Sequence, residues 1–427
     1  MSPGPDDMKA LLACLGLMII AQAAPAADKA AVGAPDWPQF RGPGGQGVSN
    51  AKNVPRSWGK EKGVAWKRKL PGKGWSSPVI SEGKVVMTAS KENDGKITLG
   101  VVAVDQESGD ILWDRDLFNP ADQEARKRHA KNGLSSATPY LKNGVIYAHF
   151  GHMGTAALKL ESGEVIWRQK FEYKPLHGTG SSPVIIGDLL VFHADGTENP
   201  VLVALDAKTG DLKWKTPRNQ EVKRKFSFST PLELKVGGES LILSPASGMV
   251  GAYRPADGKL VWKVTYGEGY SVVPRPVFAN GLVYVATGFG VPRLMAIDPK
   301  GSKGDVTKSK VVWDENKNIG KTPSFVAAHG SIYIVDDNGT LSCRDGKTGE
   351  LRWKEKLPGN FSSSPVIVGN TLYSATEDGV AYVLEVSPKA CKVLAEIDME
   401  ERIFASPAVI DGAIFIRSEE HLWKIGG

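Results

Sequence analysis

Ala204-Leu205-Asp206-Ala207-Lys208-Thr209-Gly210-Asp211-Leu212-Lys213-Trp214 decides how this chain folds, because the same phrase returns along it. Ala103-x-Asp105-x-x-Ser108-Gly109-x-x-x-Trp113 precedes it, and Cys343-x-Asp345-x-x-Thr348-Gly349-x-x-x-Trp353 follows. Glycine supplies the positive φ of a tight turn, and the Asp side chain accepts turn N–H groups. The small residue ten positions before each Trp suggests an indole lying against a neighbouring unit where only Ala or Cys fits. The tryptophans Trp66, Trp113, Trp167, Trp214, Trp262, Trp313 and Trp353 follow one another at intervals of 47, 54, 47, 48, 51 and 40 residues. A period in that range, with strand-like content, means propeller blades.

A second phrase marks where each blade begins. Ser77-Pro78, Thr138-Pro139, Ser182-Pro183, Thr230-Pro231, Arg275-Pro276, Thr322-Pro323, Ser364-Pro365 and Ser406-Pro407 each lead into an apolar run and a turn. Proline costs least at the first residue of a strand, where a missing N–H matters little. The third unit reads as four strands: Ser181 to Ile186, Leu189 to His193, Val201 to Asp206, and one around Trp214. The pattern also deviates. Lys159 and Arg254 stand where Asp is expected, Gly301 to Lys310 is inserted before Trp313, and the seventh unit has Glu385 and Ala395 in place of Asp and Trp.

After Ser406-Pro407 only three strands remain, Ala408 to Ile410, Ala413 to Arg417 and His421 to Ile425. The fourth is expected at the other end, from Gly63 to Leu70, because pairing first with last removes both exposed edges. The expectation is an all-β, eight-bladed β-propeller of four-stranded antiparallel blades, closed by the N-terminal strand, over residues 63–427. A closed ring needs no second copy, so a monomer is expected.

Ahead of it, Lys9, the apolar run Ala10 to Ile20 and Ala21-Gln22-Ala23 form a secretory signal over residues 1–23, cleaved near Ala23. Eleven apolar residues are too few to span a bilayer. Periplasmic or secreted destinations follow. Residues 24–62, rich in Ala, Pro and Gly, start as a tether, with Trp37 and Phe40 apolar enough to pack on the propeller wall. The two cysteines after the signal, Cys343 and Cys391, fall in different units and read as buried free thiols. The net charge of +6 is modest and its Lys and Arg are interspersed with acids, which argues against nucleic acid.

The Ala-x-Asp-x-x-Thr-Gly-x-x-x-Trp phrase resembles the tryptophan-docking motif of the pyrroloquinoline quinone (PQQ) repeat superfamily, and the match covers residues 63–425. One branch holds quinoprotein alcohol and glucose dehydrogenases, which would imply a periplasmic oxidoreductase of alcohols or sugars using PQQ and calcium. The other holds cofactor-free propellers, among them the lipoprotein of the outer-membrane β-barrel assembly machinery. Asp36-Trp37-Pro38-Gln39-Phe40-Arg41-Gly42-Pro43 is similar to the start of exported PQQ-like proteins without assigned roles. The alcohol dehydrogenases carry adjacent cysteines beside the quinone; this chain has none, and no catalytic or calcium-binding residue of theirs can be placed here. The resemblance therefore implies a binding or scaffold protein without bound cofactor, with the quinoprotein as the alternative.

In a propeller, connections from strand four to the next strand one share a face with those joining strands two and three. That rule gathers His149, His152, His177, His193, Asp195 and Glu198 on one rim sector between blades two and three. Imidazoles with a carboxylate could take a small ligand or a transition metal, or serve as acid and base; each could equally cap its own loop. A metal-assisted enzyme there is a third reading. On the same face, Asn119, Pro120 and Gly133 punctuate an expected helix, acidic early at Asp122 and Glu124 and basic late at Arg126, Lys127, Arg128 and Lys131. With Lys223-Arg224-Lys225 it could attract a small anionic ligand, and an envelope protein is the other partner expected.

Overall fold

A computed structural model of the protein describes residues 36–121 and 128–427. The export segment and residues 122–127 of the helix expected after Asn119 lie outside the described residues; its expected last turn, residues 128–132, is an irregular turn and not helix. Eight antiparallel sheets form the ring. Blade 1 runs Val79–Ser81, Lys84–Asn93, Lys96–Asp105 and Ile111–Phe118. Blade 2 runs Tyr140–Lys142, Val145–His149, Thr155–Lys159 and Val165–Gln169. Blade 3 runs Val184–Ile186, Leu189–Ala194, Val201–Asp206 and Leu212–Pro217. Blades 4 to 7 repeat the plan from Leu232, Val277, Val326 and Val366. Blade 8 takes Ala408–Ile410, Ala413–Arg417 and His421–Gly426 from the end of the chain and Val64–Lys69 from its start, with Lys67 opposite Trp423.

Strand alternation builds the core between blades rather than within them. On blade 1, Val102 and Val104 face blade 8 and cluster with Ile414 and Ile416, while Val101 and Ala103 face blade 2 and cluster with Ile146 and Leu158. Successive side chains point to opposite faces, so each sheet must be apolar on both sides.

The turn phrase welds neighbours together. Asp105, Asp206 and Asp345 each accept two backbone N–H groups of their own turns. Ala103, Ala204 and Cys343 prove to be cross-strand partners of the tryptophan in the same blade. The close approach to the next blade is made at glycine: a Cβ on Gly163 (φ +66°) would stand 2.7 Å from the Trp113 ring. Trp66, Trp167, Trp214 and Trp313 lie likewise over Gly109, Gly210, Gly258 and Gly349. Indole N–H groups donate to carbonyls of the following blade, Trp167 to Ala207 at 3.0 Å and Trp313 to Gly346 at 3.0 Å.

The insertion before Trp313 has a structural use. Gly304–Asp305 pairs in parallel with the outer strand of blade 4, opposite Trp262 and Lys263. Cys343 is buried and Cys391 half-buried, and neither forms a disulfide.

Residues 36–62 cross the axis instead of trailing away. Trp37 pairs with Ile80 of blade 1, Pro38 O accepts Leu141 N–H of blade 2, Gly47 O accepts Ile367 N–H of blade 7, and Lys52 O accepts Gly412 N–H of blade 8. Val48–Ser49 runs parallel to the inner strand of blade 7. This segment closes one end of the channel.

Candidate functional site

The residue before each inner strand forms a tier around the axis. Ser77 N–H donates to Thr138 Oγ1, Thr138 to Ser182 Oγ and Ser182 to Thr230 Oγ1, at 2.9 to 3.1 Å. Arg275 N–H then donates to Ser324 Oγ, Ser324 to Ser364, Ser364 to Ser406, and Ser406 back to Ser77 at 3.0 Å. The last bond joins the two ends of the repeat. In blade 6 the tier residue is Ser324, not Thr322: proline stands one place before the tier position there, and Phe325 takes the usual proline site.

Two residues earlier in each blade a second tier faces the same channel, as alternation requires. It reads Trp75, Ser136, Gly180, Phe228, Val273, Thr322, Ser362 and Phe404, all lining one cavity of about 430 Å³. Trp75 and Phe404 stand together with ring centroids 4.7 Å apart. Phe226 meets Phe228, Tyr270 and His177, and Tyr270 meets Phe289. His129 and Lys131 complete the mouth, and Phe40 of the plug forms part of the floor. Among the described residues, no Asp or Glu lines this cavity.

Beneath the tier, Arg275 turns away from the axis and donates to Phe40 O, Pro231 O and Gln39 Oε1. Gly45 is required there, since a Cβ would fall 2.2 Å from its Nη1. Arg41 is also fully buried and donates to Gln46 O and Phe325 O. Burial holds both guanidinium pKa values below their usual range, and at Arg41 the charge of Arg275 adds to the effect.

The histidine sector separates into three places. His149, His193 and Asp195 meet in a closed pocket of about 10 Å³ with Tyr173 and Thr179. His149 Nδ1 shares a 2.8 Å hydrogen bond with Thr155 Oγ1, and its ring lies 4.2 Å from that of Phe192. His193 Nε2 bonds Ser244 Oγ at 2.7 Å, across to blade 4. Arg218 grips Asp195 with two bonds of 3.0 Å and also reaches Ser244. Burial, with the charge of His152 second, pushes His149 down to about 3. Burial, then Arg218, drives His193 well below its usual range, so both imidazoles are neutral at pH 7.

His152 stands edge-on to Tyr173. Glu198 pairs with exposed Lys174 at 3.0 Å on the surface. His177 alone of the six reaches the channel mouth, where it meets the ring of His129. Sequence reasoning missed Arg218 and the aromatic tier. The tier was within reach, since Trp75, Phe228 and Phe404 each precede a Ser or Thr of the blade-opening phrase by two residues. Arg218 carried no such marker.

The model of the family described as outer membrane protein assembly factor BamB matches residues 98–355 and 302–388. The chain belongs to that family. The outer membrane protein assembly factor BamB of Moranella endobia is 25% identical over 296 residues, 67% of this chain and 70% of that one. Among solved structures, BamB from Moraxella catarrhalis superposes with a TM-score of 0.59 at 14% identity, covering 84% of this chain and 96% of that one. A europium-containing methanol dehydrogenase superposes with a TM-score of 0.72 at 12% identity, covering 91% and 90%; at that identity only the fold is shared.

The enzymes of this fold raise the question of a calcium-held quinone. Calcium takes six to eight oxygen ligands, carboxylates foremost. Among the described residues the cavity offers hydroxyls, one Asn and no carboxylate. No group of three His, Cys, Asp or Glu among the described residues is placed to hold a metal. These residues do not fit that cofactor.

Proposed function

We propose that this chain is an exported scaffold propeller that binds a protein of the cell envelope and serves outer-membrane protein assembly, without a bound quinone. The family match across 98–388 on a closed ring carries this reading. The lack of a carboxylate among the described lining residues supports it against the quinoprotein alternative. The chain is exported through residues 1–23, cleaved near Ala23, and works as a periplasmic or secreted monomer. No helix among the described residues is long and apolar enough to cross a membrane.

Binding falls to the connections on the open face, where His177 is the rim histidine placed to touch a partner. His149, His193 and Asp195 keep the loops of blades 2 and 3 in place beneath it. The seven tryptophans act as blade-to-blade docks. Photo-crosslinking residues at Phe289 and Arg402 in living cells test the proposal. It expects crosslinks to an outer-membrane assembly component and reduced outer-membrane proteins on deletion. Unchanged outer-membrane proteins without such crosslinks overturn it, and dye-linked alcohol oxidation on adding PQQ and Ca²⁺ would favour the oxidoreductase.

A further inference from the structure

The channel carries features that a passive scaffold does not require. Seven tier hydroxyls, those of Ser77, Thr138, Ser182, Thr230, Ser324, Ser364 and Ser406, are each at least nine-tenths buried. Each spends a lone pair on the neighbouring backbone N–H, and none donates its O–H to another described residue. Their protons are left for whatever occupies the axis, since a buried hydroxyl needs an acceptor.

The field at that depth is positive. Arg275 belongs to the tier and Arg41 lies beside it, and their hydrogen bonds go to carbonyl and amide oxygens rather than carboxylates. Nε and Nη1 of Arg41 are buried without a partner. An anion on the axis would accept hydroxyl protons and answer two uncompensated charges in a low-dielectric setting, where such interactions are strong. Above it the walls turn aromatic. At the mouth Arg402 lies 4.9 Å from the Phe404 ring and Arg224 lies 4.3 Å from that of Tyr270, so cations also flank the entrance. Glu377 there pairs with Lys131 and accepts from Ser362 Oγ at 2.6 Å, both of the lining, so the one carboxylate bonded to the described lining residues is already engaged.

We propose that the channel binds an aromatic carboxylate without metal, its carboxylate on the hydroxyl tier and its ring among Trp75, Phe404, Phe228 and Tyr270. Hydroxyl donors select the anionic head, with the guanidiniums of Arg275 and Arg41 acting only through space from outside the lining, while offset and edge-on ring contacts select a flat body. A cavity of about 430 Å³ is of the size that small-molecule sites use. The site does not depend on the assembly role; it can be present or absent with partner binding intact.

Calorimetric titration of the full chain, in a metal chelator, with naphthalene-2-carboxylate and the neutral naphthalene-2-carboxamide tests it. The carboxylate is expected to bind about tenfold or more tightly than the amide, a difference of about 1.4 kcal/mol. Trp75→Leu should weaken the carboxylate by a similar factor, and Ser364→Ala should shrink the preference for it. If Ser364→Ala fails to fold, the two ligands on the unaltered chain still decide. Equal affinities, no heat from either at millimolar concentration, or undiminished binding by Trp75→Leu would overturn the proposal.

Discussion

Arg218 illustrates how a single side chain can secure two blades without touching the channel. It follows the outer strand of blade 3, holds Asp195 from the loop between that blade's second and third strands, and reaches Ser244 of blade 4. Burial alone would lower the guanidinium pKa, but the Asp195 carboxylate more than offsets this and raises it. Breaking a buried pair leaves a charge with no partner, which costs about 3–5 kcal/mol. Arg218→Met should therefore lose about that much in urea denaturation, and adding Asp195→Leu should restore part of it. The acid limit is set by two buried neutral imidazoles, His193 and His149. The folded pKa of about 3 at His149 lies below the unfolded value near 6.5, so only the unfolded chain takes up that proton between those limits. Stability is then complete above pH 6.5 and drains as pH falls towards 3. Melting followed from pH 7 to pH 4 should show the decline, and His149→Gln should lessen it, the neutral buried His193 supplying the remainder; an equal slope in both would remove His149 as a cause.

At the level of the blade, the repeating turn decides where the sheets can touch. Gly163 and Gly83 share nearly the same left-handed backbone, φ +66° and +72°, but only Gly163 faces an indole; a Cβ on Gly83 meets nothing within 4 Å. Gly83→Ala should cost only the backbone term, about 1–2 kcal/mol. Gly163→Ala should cost about 1–3 kcal/mol more, because the added methyl must displace Trp113. Equal losses in chemical denaturation would mean that the indole contact carries no weight. The blades were legible in the sequence because turn chemistry and alternation are local. Asp206, Gly210 and Trp214 announce a turn and a strand within nine residues. Blade 6 was misread by two residues because proline, used as a marker for the channel tier, has moved ahead of Ser324 while the hydroxyl has kept its place. The histidines were expected together on one rim, and their depth was not readable. His193 is buried by Ser244 and Arg218, which lie 51 and 25 positions away, whereas His177 remains at the mouth.

Across the whole molecule, two separate stretches of the N-terminal region do two different jobs. Val64–Lys69 supplies the last strand of blade 8 and lays Trp66 over Gly109 of blade 1, so it closes the ring. Residues 36–52 supply no outer strand; they seal one end of the channel through contacts with blades 1, 2, 5, 6, 7 and 8. Sequence composition suggested that residues 24–62 start as a tether, with only Trp37 and Phe40 set against the propeller wall, because glycine and proline are read as flexible when the surface they fit cannot be seen. The two jobs separate under truncation. A chain beginning at residue 60 keeps the closing strand and loses the seal. It should remain monomeric and melt in one transition at a lower temperature, with Arg275 stripped of its Gln39 and Phe40 partners. A chain beginning at residue 71 loses both and presents His421–Gly426 as a bare edge, the arrangement that promotes pairing between molecules. It should aggregate or elute as multimers in size-exclusion chromatography. Should the shorter chain stay monomeric and melt like the longer one, blade 8 would be stable with three strands, and ring closure would rest on the hydroxyl tier and its bond from Ser406 to Ser77 rather than on the borrowed strand.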